Sequence, residues 1–436
     1  MAIDQFNLRR KYIQEQIEDG VAIIFNAEEV TRNNDCNFKF RSDSYFHYFT
    51  NFPEPNTVIF LLGGDEPKSI LFCKTKNTKL EIWNGFIYGP DLAKERFDFD
   101  EAYSIDQLND LAPKIIAKFR KIYTPLNVNQ NGNKKIQSWI RLNKKKKRAG
   151  VKSPEMIIDL SQLADSMRVI KSAEEINLIK KSADIAAQAH IIAMQKTRPN
   201  KYEYQIEGEI LNQFMQHGAK DYAYQPIVAS GHNACTLHYT ANNNKLKDGD
   251  LLLIDAGCEL ELYASDITRT FPINGKFSDA QKIIYELVLE AQKAAIAKIK
   301  SGNSFDQPHI AALNILAQGL IDLNFCKGSL EQVIEKKLYQ EFFMHRTSHW
   351  LGLDVHDVGD YVNSNEKPIK LTCGNILTVE PGLYINPSKF IPKEFWGIGI
   401  RIEDDVAVTK KGSNVLSSDA PKEVEELESL VGSSVE

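Results

Sequence analysis

Two hydrophobic periods run along this chain, and the place where one gives way to the other divides it. Residues 4–19 set Phe6, Ile13 and Ile17 among charged side chains at helical spacing, which predicts an amphipathic helix ended by Gly20. Short apolar runs of strand length follow: VAIIF (21–25), TVIFLLGG (57–64), SILFCK (69–74) and, after a helical segment over 105–120, IYTPL (122–126). Strands interspersed with helices predict an α/β N-terminal domain over residues 1–165. Beyond it the pattern becomes that of a long helix. Ser172 and Glu175 make a capping box at its start, and Ile176, Ile179, Ala183, Ile185 and Ala186 line one face. Further helices are predicted over 202–217, from Ser278 to Ile299, and over 305–323 and 329–341, with strand-like pairs between them. This second domain, 166–436, is α+β. It divides into two helix-plus-sheet halves, 170–275 and 278–410, without a residue-by-residue repeat.

Composition narrows the function classes. With 43% hydrophobic and 25% charged residues over 436 positions, the chain has the make-up of a globular protein with ample core. A formal net charge of -5 speaks against a nucleic-acid partner, and the basic run Lys144–Arg148 is read as a solvated helix end or linker. The six cysteines show no CxxC spacing, so neither a zinc knuckle nor a disulfide framework is predicted. Reduced thiols fit a cytoplasmic setting. The polar N-terminus lacks the apolar core of a secretory signal and no long apolar window occurs, so no membrane partner is expected.

Candidate chemistry gathers in two stretches. His345, His349 and His356 crowd into FMHRTSHWLGLDVHDVG, followed by Glu380 in LTVEPGLYI and Glu403 in GIGIRIEDD. Upstream, Asp255 and Asp266 sit in apolar, strand-like sequence, where two antiparallel strands would place them side by side. A carboxylate in a buried strand is costly unless it is paired, hydrogen-bonded or on a metal. Period-two alternation puts Arg401 and Glu403 on one face and Ile398, Ile400 and Ile402 on the other. Glu380 precedes Pro381, which favours extended geometry. Singly, each of these is more often structural. Together, two Asp, two Glu and one His form an oxygen-rich donor set for two divalent ions such as Mn or Co, whose charge four carboxylates offset.

The ordered set IDAG, SDITRTF, FMHRTSHWLGLDVHDVG, LTVEPGLYI and GIGIRIEDD closely resembles the Xaa-Pro aminopeptidases (aminopeptidase P) of the pita-bread-fold metallopeptidases. SMRVIKSAEEI and the N-terminal segment from VTRN to FRSDSYFHYFTNF extend the resemblance over nearly the whole chain. It implies an α/β N-terminal domain followed by an α+β pita-bread (creatinase/aminopeptidase) catalytic domain. The implied reaction is hydrolysis between an N-terminal residue and a penultimate proline, with a metal-bridging hydroxide as nucleophile. A prolidase-like dipeptidase and a catalytically silent pita-bread binding module are the alternatives.

The resemblance also implies roles for individual residues. The metal ligands are Asp255, Asp266, His349, Glu380 and Glu403 for two divalent ions, with manganese favoured. Asp266 and Glu403 would bridge the ions, and Glu380 would help activate water. His238, His345 and His356 match histidines that bind substrate and handle the scissile carbonyl, and Arg401 matches an arginine at the edge of the site. Tyr224 matches a site position. Trp83 and Asp35 match N-terminal-domain residues that approach a site, in a homo-oligomer of two or four subunits. Arg148 aligns with a family arginine within its basic run and stays outside the catalytic set.

Overall fold

The computed structural model describes residues 1, 3–126 and 128–434. The chain divides into two compact units, Met1–Met167 and Arg168–Glu436.

The first unit is built on a mixed sheet of six strands in the order Glu101–Ser104, Lys68–Cys73, Val58–Leu62, Gly20–Phe25, Lys121–Thr124 and Met156–Asp159. Four of these strands are the predicted apolar runs, while Glu101–Ser104 and Met156–Asp159 were not foreseen. The buried faces of the four (Val21, Ile23, Phe60, Phe72) pack on Leu108, Ile136 and Trp139 from the helices Leu108–Ile116 and Gln130–Lys145. The basic run lies at the C-terminal end of the latter helix and in the turn Lys147–Ala149, all of it exposed. Residues 105–120 hold less helix than their pattern predicts, because Ile105–Gln107 is a tight 3₁₀ turn and the helix stops at Ile116. Ser44–Thr50, in the aromatic-rich segment, is a helix that periodicity did not reveal. All seven of its residues are buried, so it has no polar face to mark it.

The second unit starts each of its halves with a helix pair: Ala173–Lys196 with Glu203–Gln216, then Asp279–Ile296 with Gln307–Asp322. Capping boxes at Ser172 and Ser278 start the first helix of each pair. The predicted helix over 329–341 is interrupted: Leu330–Glu335 is helical, Lys337 turns left-handed (φ 54°), and Leu338–Glu341 is a 3₁₀ turn. Antiparallel strands follow each pair. Ile227–Ser230, Leu251–Asp255 and Thr268–Pro272 form one sheet, and Ile376–Val379, Asp404–Val408 and Ser413–Val415 another. Gly382–Ile385 pairs with Ile398–Arg401, and a bridge between Thr268 and Glu403 joins the two halves. One core, including Ile254, Phe271, Ile284, Leu316, Trp350, Ile400 and Val406, lies between helices and sheets.

The register corrects one expectation. Asp255 stands opposite Thr268, two residues beyond Asp266. The chain between the two aspartates makes its own hairpin, Cys258–Leu260 against Tyr263–Ala264, which turns at Glu261 and Leu262 (φ 49° and 67°) rather than at Gly257. Gly257 serves a close approach instead, since a Cβ there would lie 1.7 Å from the Ser265 carbonyl oxygen. Among the described residues the cysteines are free, and no helix is long and apolar enough to cross a membrane.

Candidate active site

Backbone pairing places each acid. The Glu403 N–H donates to Thr268 O (3.0 Å), so the second half delivers Glu403 beside the strand that follows Asp266. The Asp266 N–H in turn donates to Asp405 Oδ2 (3.0 Å). Glu380 is anchored by its own N–H on Thr347 O (2.8 Å), and His349 docks on Thr378 through both its N–H and its carbonyl. Asp255 ends its strand, and Arg401 grips it there, with Nη2 2.6 Å from Oδ2.

Asp255, Asp266, His349, Glu380, Arg401 and Glu403 line one cavity of about 690 Å³ in the second unit. Asp266, His349 and Glu403 each offer a ligand atom within 4.8 Å of the others. His349 Nδ1 donates to Trp350 O (2.9 Å), which fixes the tautomer and leaves the Nε2 lone pair facing Asp266 Oδ2 (3.4 Å) and Glu380 Oε1 (3.7 Å). Thr268 Oγ1 donates to Glu403 Oε2 (2.7 Å). The Tyr224 hydroxyl lies between Asp255 and Asp266, within hydrogen-bond distance of an oxygen of each.

Charge crowding marks the site. Burial, together with Asp255, holds Asp266 well above the ordinary carboxylate range, and burial with Asp266 and Asp255 does the same to Glu403. Burial and Glu403 push Glu380 up to about 8. Arg401 is the buried cation among them; burial opposes its charge, but Tyr384 and the carboxylates around it outweigh that cost. Four carboxylates and an imidazole with a free lone pair, whose charge the buried Arg401 does not neutralise, fit divalent cations.

The three other predicted histidines share the cavity. His345 donates through Nδ1 to Arg346 O (2.8 Å) and accepts at Nε2 from Tyr384 Oη (2.9 Å), and burial and Arg401 push it down to about 4. It is therefore neutral at physiological pH. His356 packs edge-on against His349, with ring centroids 4.5 Å apart, and burial and His349 lower its pKa. His238 rides on the segment between Ser230 and Asn244. Glu203, fully buried, holds that segment by accepting from Ser230 N–H and Oγ, Asn233, Tyr239 Oη and the Asn244 N–H. Trp83 and Asp35 belong to the first unit. Trp83 lies in the last turn of the helix Thr78–Asn84, which buries none of its residues, and is 84% exposed. Asp35 is exposed between two short paired strands, and Arg148 is exposed in its turn.

Sequence reasoning missed Tyr384, which accepts from Arg401 Nη1 (2.9 Å) and links that arginine to His345. Its signal was alternation: Tyr384 pairs with Gly399, two residues from Arg401 on the same face. Glu203 and the cavity residue Asp306 carried no motif, and Arg346 was passed over although it lies within FMHRTSHWLGLDVHDVG.

A family model described as metallopeptidase family M24 matches residues 177–410, and one described as aminopeptidase P, N-terminal domain, matches residues 6–123. The chain belongs to metallopeptidase family M24. Within this family, a Xaa-Pro aminopeptidase of Haemophilus influenzae is 43% identical over 430 residues, which cover 98% of this chain and 97% of that protein. Among solved structures, Pseudomonas aeruginosa aminopeptidase PepP superposes with a TM-score of 0.97 at 41% identity, covering 99% of this chain and 98% of the other. A zinc-substituted E. coli aminopeptidase P in complex with product gives 0.96 at 40% identity, with 99% and 98% covered. The chain is a metallo-aminopeptidase, a hydrolase with an aminopeptidase P N-terminal domain followed by a pita-bread catalytic domain.

Proposed function

We propose that this metallo-aminopeptidase releases the N-terminal residue from peptides whose second residue is proline. The observation that carries the reading is the Asp266, His349 and Glu403 cluster, with the His349 Nε2 lone pair turned into it. In this reading Asp255, Asp266, His349, Glu380 and Glu403 hold two divalent ions, with manganese as the working metal. When bound, such ions supply Lewis acidity and make a water acidic enough to ionise near neutral pH. Glu380 receives the proton of the attacking water, with Oε2 3.8 Å from His345 Nδ1. His356 and His238 hydrogen-bond the scissile carbonyl as charge develops on its oxygen. Arg401 holds Asp255 and, through Tyr384, fixes the His345 ring. Tyr224 orients Asp255 and Asp266. Proline makes the scissile amide tertiary and restricts its shape. The cavity wall of Phe305, Tyr361, Val362 and Pro368 offers the ring an apolar surface.

The domain boundary near residue 165 belongs to the same proposal, the first unit serving assembly. Exposed Trp83 and Asp35 would then meet the site of a neighbouring copy in a dimer or tetramer. The free thiols support a cytoplasmic setting.

Metal analysis combined with cleavage of a panel of Xaa-Pro dipeptides and Xaa-Pro-Yaa tripeptides tests the reading. Tripeptide cleavage with about two metal ions per chain is the expected result. Activity confined to dipeptides would replace it with the prolidase-like alternative.

A further inference from the structure

Arg346 differs from every other charged group of the cavity, because its root is fixed while its guanidinium is uncommitted. On one side, His345 is held by Tyr384 Oη and by the Arg346 carbonyl. On the other, Thr347 is buried, with Oγ1 2.8 Å from His309 Nδ1 and its carbonyl accepting the Glu380 N–H at 2.8 Å. The backbone at Arg346 is thus pinned between two residues that each contact Glu380. The side chain is exposed, lines the cavity, and makes no hydrogen bond or ion pair with any described residue.

The neighbouring charges leave it available. Arg401 is taken by Asp255 and Tyr384. Asp306 also lines the cavity, but its Oδ1 accepts from Ser304 Oγ, and it lies beyond ion-pair distance of Arg346. His309, within electrostatic reach of both, is pushed down to about 4 by burial and by Arg346, so at physiological pH it is neutral and does not compete for an anion.

A guanidinium is a planar fork that matches a carboxylate with two parallel N–H···O bonds. We propose that Arg346 recognises a carboxylate that the peptide carries beyond its proline, and so sets a preference for acidic or short, free-acid substrates. This rests on the aminopeptidase reading above and names its substrate class. Peptides present that chemistry in two places, the C-terminal carboxylate and the side chains of Asp and Glu. The cavity holds the reacting end and an apolar wall together with Arg346, so a tripeptide already brings its terminal carboxylate to the same space.

The test compares kcat/KM for Xaa-Pro-Yaa with a free and an amidated C-terminus, and for amidated longer peptides with Glu or Gln after proline. It uses the metal-loaded wild type, Arg346→Gln and Arg346→Lys. The expected result is a preference of about fivefold for the carboxylate member of one pair or the other. It should weaken with added salt, vanish in Arg346→Gln and survive in part in Arg346→Lys. Which pair shows it identifies the source of the carboxylate. Equal preferences in wild type and Arg346→Gln, or no preference in wild type, overturn the proposal. Calorimetric binding of Pro-Yaa against its amide measures the same contribution without turnover. A protein that cleaves none of the peptides would sink the functional reading, while this binding ratio still decides the role of Arg346.

Discussion

Replacing Arg269 with Met should be among the most damaging single changes outside the cavity. Arg269 is fully buried and spends every guanidinium N–H: Nε on Pro421 O (3.0 Å), Nη1 on Thr268 O (2.9 Å) and Glu403 O (2.6 Å), Nη2 on Asp404 Oδ1 (2.8 Å) and Ala420 O (2.8 Å). Methionine fills much of the volume and satisfies none of these acceptors. Asp404, also fully buried, keeps Ser417, Gln292 and Lys422 but loses its closest guanidinium. Breaking a buried pair of this kind costs about 3–5 kcal/mol, a large part of the roughly 5–15 kcal/mol that holds a domain folded. With a denaturant slope of about 3 kcal/mol/M the urea midpoint falls by about 1 M or more. Because Nη1 bridges the carbonyls of Thr268 and Glu403, metal affinity should fall alongside stability. The assay is urea unfolding followed by tryptophan fluorescence, paired with metal titration, for wild type, Arg269→Met and Arg269→Lys. Lysine keeps the charge but lacks the fork, so it should recover only part of the loss. A midpoint for Arg269→Met within about 0.2 M of wild type would refute the reasoning.

Further outcomes follow from the same geometry. Asp266→Ala removes a member of the donor cluster and should lower metal content and cut hydrolysis by at least about a hundredfold, read by metal analysis and initial rates. Glu203→Ala strips a buried acceptor from the segment that bears His238. It should cost about 3 kcal/mol in thermal unfolding and raise KM, with Glu203→Gln milder on both. Gly257→Ala drives a Cβ into the Ser265 carbonyl and should weaken metal binding even where the protein still folds, as measured by metal titration. For pH, burial alone would raise Asp357, but Lys171 and Arg168 outweigh it and hold it below its ordinary value of 3.8. Its contribution to stability is therefore complete above pH 3.8 and is lost as pH falls through the lower, folded value. Unfolding free energies between pH 2 and pH 6 should show a steeper acid decline in wild type than in Asp357→Asn.

What could be read from the chain beforehand tracks how local the cause is. The long helix from Ala173 was legible because Ser172 and Glu175 satisfy each other's backbone donors within four residues. The strand carrying Arg401 was legible because its alternation is intact. Ser44–Thr50 was not, because a helix buried all round has no polar stripe. The ladder pairing of Asp255 with Asp266 failed for another local reason, the extra hairpin turning at Glu261 and Leu262, although the Tyr224 hydroxyl still reaches an oxygen of each.

By itself the sequence determined the ingredients: five donors of metal-binding type, the histidines, Arg401, and the strands that carry them. Those depend on residue chemistry and on periods of two and 3.6, which act over a few positions. Only the tertiary structure decided how the ingredients meet. The Thr268–Glu403 bridge joins halves far apart in the chain, the Trp350 carbonyl selects the His349 tautomer, and Glu203 clamps the segment around His238. It also left Arg346 pinned by its neighbours yet unpaired in the cavity. Each of these is a hydrogen bond or close approach whose partner is chosen by packing in three dimensions, and no motif along one strand of sequence encodes that choice.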